Sequence, residues 1–151
     1  MILDERTEFA DATSVGTPNN TTVNVGDIID TSSVVRDMGQ GQPVYLHISV
    51  DTAITSGGAA TVAFRLVSDA TTTIAVNGNE TLHVESGAVA VASLVAGYNL
   101  TLVLPANSPD YERYLAFQVR ETAGQALTAG AVNAFLSFDA HGWRSYPDAA
   151  N

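Results

Sequence analysis

Cysteine and lysine are both missing from the chain. Without cysteine there is no disulfide framework and no thiolate-bound metal, which fits assembly in a reducing compartment. No staple is needed: 151 residues make one domain, long enough to bury roughly 70% of its unfolded surface. Without lysine, the six basic residues are all arginine, dispersed at positions 6, 36, 65, 113, 120 and 144. Sixteen acidic residues bring the net charge to -10. Nucleic acid is therefore not an expected partner, because phosphate neutralisation needs clustered Lys and Arg. An acidic surface keeps the chain soluble and favours docking on a basic patch. Long apolar runs are absent too. The longest weakly polar stretch, Gly87–Gly97, is Ala-rich and too short to cross a bilayer, so a membrane is not an expected partner. The opening Met-Ile-Leu-Asp-Glu-Arg-Thr-Glu has no basic leader before an apolar core, so no secretory signal is expected. The Asn-X-Thr sites at Asn19, Asn20, Asn79 and Asn99 then read as chance products of a threonine-rich chain.

What the chain does have is alternation. Val44, Leu46, Ile48 and Val50 alternate with Tyr45, His47, Ser49 and Asp51. Val62, Phe64 and Leu66 alternate with Ala63, Arg65 and Val67. Tyr98, Leu100, Leu102 and Leu104 do the same until Pro105. Leu115, Phe117 and Val119 share one parity, with Tyr114, Ala116, Gln118 and Arg120 on the other. Val132, Ala134, Leu136 and Phe138 form the last apolar face. A side-chain period of two marks half-buried strands. Shorter strands are expected at Thr22–Val25 and Ile28–Asp30, and a hairpin is expected from Thr72–Val76 through Asn77-Gly78 to Thr81–Glu85. Gly87–Ala96 offers a short strand and one helical turn, and there is little other helix signal. The pattern predicts an all-β fold, an antiparallel β-sandwich of about eight strands, jelly-roll-like. Three regions are expected: an N-terminal arm at 1–21, the sandwich at 22–139 and a non-periodic C-terminal tail at 140–151.

No catalytic pattern emerges. The histidines, His47, His83 and His141, show no close pairing in sequence, so neither a metal site nor a cofactor is expected. His47 and His83 read as solvated or hydrogen-bonded strand residues. Asp27 and Asp30, and Asp110 and Glu112, lie beside turns, where acids bond local backbone; glycoside chemistry would depend on their separation in space. There is no Gly-X-Ser-X-Gly elbow, and Gly57-Gly58 does not open a helix that could cradle phosphate. An enzyme is not expected.

Partner-binding candidates are clearer. Trp143, Arg144 and Tyr146 fall within four positions and are the residue types enriched in interface hot spots. Either they contact a partner or Trp143 folds back over one end of the sandwich. Phe135 and Val103 occupy the polar parity of their strands. Either the second sheet covers them or they mark a partner surface.

Several segments carry a family resemblance. Ala90-Val-Ala-Ser-Leu-Val-Ala-Gly-Tyr-Asn-Leu-Thr-Leu-Val-Leu-Pro105 resembles a pattern of small capsid cement proteins of tailed bacteriophages: an apolar strand, a Leu-X-X-Gly turn, then a strand ending in Pro. Arg113–Val119 and Leu127–Ser137, with its Thr-Ala-Gly connection, resemble that family's following strands. Met-Ile-Leu-Asp and Arg36-Asp-Met-Gly39 also fit. The resemblance is clearest over residues 85–140. It implies a jelly roll on the outer capsid surface of the virion, made in the host bacterial cytoplasm. The expected partner is the major capsid protein, whose neighbouring subunits it clamps, and the expected assembly is a homo-oligomer, dimer or trimer. The family brings no catalytic residues. Two other readings stand beside it: a carbohydrate- or receptor-binding jelly roll, which needs an exposed aromatic platform, and a β-sandwich enzyme, for which motifs are lacking.

Overall fold

The computed structural model describes residues 5–31, 43–105 and 110–139. Alternation becomes strand wherever one face has something to pack against. Ten strands follow: β1 Glu8–Ser14, β2 Thr22–Asn24, β3 Ile29–Asp30, β4 Tyr45–Ser56, β5 Thr61–Asp69, β6 Thr81–Glu85, β7 Val89–Ala90, β8 Asn99–Val103, β9 Tyr114–Glu121 and β10 Leu127–Ser137. Single 3-10 turns sit at Glu5–Thr7 and Val91–Ser93.

Two antiparallel sheets result. Sheet A has the order β1-β10-β4-β8, and sheet B the order β2-β9-β5-β6, with β3 also on β9 and β7 also on β5. Counting β2 with β3 and β6 with β7 as one lane each, four lanes face four. Strands leave one sheet for the other so that the first lane pairs with the last, the arrangement of a jelly roll.

Between the sheets lies one core. Leu46, Ile48, Val132, Ala134 and Leu136 come from sheet A, and Phe64, Leu66, Leu115, Phe117 and Val119 from sheet B. Phe64 and Phe117 stack at its centre, ring centroids 6.0 Å apart and planes at 14°. Each such side chain contributes about 1.5–3 kcal/mol by leaving water. Leu100 and Leu102 are only half-buried, because β8 is the rim of its sheet.

Three expectations change, and one open alternative closes. The segment 1–21 is not simply an arm, because β1 pairs with β10 as an edge of sheet A and Phe9 is buried. Gly26 lets the chain after β2 pass close against the backbone of β1: its φ is +75°, and a Cβ there would sit 1.8 Å from the Phe9 carbonyl oxygen. Thr72–Val76 is not a strand. Asp69 accepts from the amides of Thr71 (2.9 Å) and Ala75 (3.4 Å), turning the chain into a loop. That loop crosses the outer face of sheet B, burying Ile74 against Val67 and Ala116. Phe138, expected on the core face, lies past the end of β10 and is 67% exposed. Neither Phe135 nor Val103 faces the second sheet, since both lie on the outer face of sheet A.

Candidate interaction surface

The register of sheet A builds this outer face row by row. Val103 lies opposite Tyr45, and Tyr45 opposite Ser137; Thr101 lies opposite His47, and His47 opposite Phe135. The His47 ring stacks on Phe135, centroids 5.1 Å apart. Its Nε2 donates to the Asp139 carbonyl at 2.8 Å, and the Thr101 hydroxyl donates to Nδ1 at 3.1 Å. A carbonyl only accepts, so these partners fix the neutral tautomer. Burial pushes the His47 pKa down, outweighing the carbonyl and charge of Asp139, which raise it. His47 therefore holds the chain at Asp139 against sheet A, at the root of residues 140–151.

This arrangement separates the candidates. Phe135 is buried beneath the ring of His47, and the hydrogen-bonding reading of His47 and His83 holds in place of the solvated one. Val103 is 57% exposed at the rim. Trp143, Arg144 and Tyr146 lie outside the described residues, as does His141.

Elsewhere, buried polar groups bind the protein to itself. Arg65 donates to Glu80 and to Gln118 at 3.2 Å each, and its Nε lies 3.2 Å from Glu85 Oε2 in an ion pair. Gln118 donates to Asn24 Oδ1 (2.9 Å) and the Ala75 carbonyl (2.8 Å). Together they fasten the 70–80 loop over sheet B. Glu121 is fully buried, and its carboxylate accepts from the amides of Asn20 (2.7 Å), Ala123 (2.7 Å) and Gly124 (2.9 Å). Burial pushes this carboxyl up, but the amides outweigh burial and hold it below the ordinary value. Ser68 and His83 lie 2.7 Å apart, yet Ser68 is fully buried and its oxygen also accepts from the Glu112 amide, so no substrate reaches it. Of the paired acids, Asp30 is held bidentately by Arg113 at 3.0 and 2.9 Å. Among the described residues no three His, Asp or Glu converge as a metal site would require.

A family model described as Bbp16 matches residues 9–136. The chain belongs to the Bbp16 family. The matched span begins in β1 and ends in β10, so the Bbp16 domain and the sandwich coincide. Membership is consistent with a phage protein. No curated protein matches the chain.

One flank of this Bbp16 sandwich extends the weakly polar stretch at Gly87–Gly97 into a surface that carries no catalytic motif. From Ser86 to Pro109 there is no charged residue. The described part carries β7, the 3-10 turn and β8. Beside it, Ala53–Thr61 is uncharged as well, and the two segments enclose an open cleft of about 490 Å³ lined by Ala, Thr, Ile, Leu, Ser and Val side chains and by Gly58. Val95 is 56% exposed at its lip. Interface cores are depleted of charge in the same way.

Proposed function

We propose that the protein is a structural virion component that docks on the outer capsid surface and cements neighbouring major capsid subunits, as a dimer or trimer. The observation that supports this reading most is the rim of sheet A. There Val103 stands exposed on β8, in the cross-strand row that runs through Tyr45 to Ser137, just before exposed Phe138 and the Asp139 carbonyl that His47 holds. Family membership and the jelly-roll sandwich support it in a coarser way. A protein that binds the assembled shell and not the free subunit stabilises the shell by mass action. Attachment through both the sandwich rim and the segment containing Trp143, Arg144 and Tyr146 raises avidity beyond either contact. The charge of -10 makes part of the attraction electrostatic, so binding weakens as salt rises.

The test uses expanded capsids lacking the protein. Wild type should bind them and raise the temperature at which DNA is released, and a chain truncated after Asp139 should bind more weakly. Wild type that binds no expanded capsid of its own phage refutes the reading. Unchanged binding after truncation moves the contact from the tail to the sandwich.

A further inference from the structure

Sheet edges offer unpaired backbone groups, and proteins blunt them with bulges, charges or short strands. Of the four edges left by the described strands, three are blunted. The register of β1 slips twice, its Ala12 has a φ of +43°, and it carries Glu8 and Asp11. Strands β2 and β3 are three and two residues long, beside the Asp30–Arg113 pair. Strand β6 slips against β5 and ends at Glu85, and β7 has two residues. Strand β8 has none of these devices. Its five pairs with β4 run without a shift, and Asn99-Leu-Thr-Leu-Val103 holds no charge and no proline. The lane continues at both ends, where the Leu104 amide donates to Val44 and the Tyr98 and Leu94 carbonyls accept from Val50 and Ile54.

Those bonds fix which groups are free. Even-numbered residues face β4, so Asn99, Thr101 and Val103, all exposed, direct their N–H and C=O outward. We propose that β8 accepts an extended strand of the major capsid subunit by backbone pairing. That strand would run across the charge-free flank, with a side chain seated in the cleft at Leu94 and Val95. The inference rests on the capsid-docking reading and names its contact. Charge selects the occupant. A second copy would bring another -10 to a strip bordered by exposed Asp51, whereas a capsid strand neutral along its length and basic at its flank meets both features.

The experiment compares two variants at one position, with hydrogen exchange on the wild type as a second measurement. Val103→Pro deletes an outward N–H and keeps every bond to β4, a position where a strand tolerates proline. Val103→Ser keeps the N–H and removes the apolar side chain. Val103→Pro should weaken capsid binding roughly tenfold with the melting temperature held, and Val103→Ser should weaken it less. On the shell, wild-type amides of Asn99, Thr101 and Val103 should exchange more slowly than in the free protein. Wild type that binds while those three amides exchange unchanged, or Val103→Pro that binds as wild type, overturns the edge pairing and leaves the capsid reading standing. Concentration-dependent slowing of the same amides in free protein gives the edge to a second copy and also overturns it. Wild type that binds no shell removes both.

Discussion

Replacing Glu121 by glutamine tests whether a buried carboxylate holds the loops at one end of the sandwich together. The side chain links the β9–β10 connection to Asn20 through backbone amides: one oxygen accepts from Asn20 and Gly124, the other from Ala123. Glutamine keeps one oxygen. If that oxygen stays with Asn20 and Gly124, the new NH2 faces the Ala123 amide, donor against donor. The lost charge-assisted bond costs about 1.5–3 kcal/mol, and the two retained bonds weaken by about 1 kcal/mol each once their acceptor is neutral. The sum is about 3.5–5 kcal/mol. At roughly 2–4 °C per kcal/mol for a chain of this size, the melting temperature should fall by about 7–20 °C at pH 7. The pH dependence carries a sign. The folded pKa lies below the ordinary value of about 4.5, so the carboxylate's contribution is whole above about pH 4.5 and is lost as pH falls through the lower folded value. The gap between wild type and variant, read as denaturant unfolding free energy, should therefore narrow below pH 4.5. Equal melting temperatures at pH 7, or a gap that stays constant into acid, would refute the role given to Glu121.

Phe117→Ala should cost about 3–5 kcal/mol in urea unfolding, because Phe117 is fully buried against Phe64 and a cavity would remain; a loss below about 1 kcal/mol would mean the site collapses without cost. Arg65→Met should destabilise by about 3–5 kcal/mol, since it strands Glu80, whose side chain is fully buried. The same variant should speed hydrogen exchange in the 70–80 loop, and unchanged exchange there would separate the loop from the Arg65 network.

The long strands were legible because one buried face imposes a parity that local sequence displays: β4, β5, β8, β9 and β10 all follow their alternation. Strand β1 was not, since Phe9 is its only large apolar residue and bulges break its parity. Thr72–Val76 and Asn77-Gly78 imitate a hairpin, but Asp69 captures the backbone first. Arg65 and Gln118 look like solvent-facing residues on their parity. What buries them is a loop that returns from elsewhere in the chain, and no local pattern records that. Phe138 kept the parity of β10 past the point where the strand ends. At the candidate surface, the polar parity of Val103 and Phe135 was visible in the sequence, but what lies over each was not: Val103 stands exposed, while Phe135 is covered by His47, a neighbour set by register between β4 and β10.

The pairing of β1 with β10 has a consequence for synthesis. Ala12 bonds Asn133, 121 residues later in the chain. At about 5–20 residues per second, β1 waits roughly 6–24 s after emerging for its partner. Strand β10 also lies between β1 and β4, so sheet A has no continuous order until it arrives. Meanwhile Leu46, Ile48 and Val50 of β4 wait beside an unfilled lane, an aggregation hazard of the kind that non-local β topologies carry. The sandwich therefore closes as the last strand is delivered, and any lesion that slows or shortens β10 exposes both of its neighbours at once.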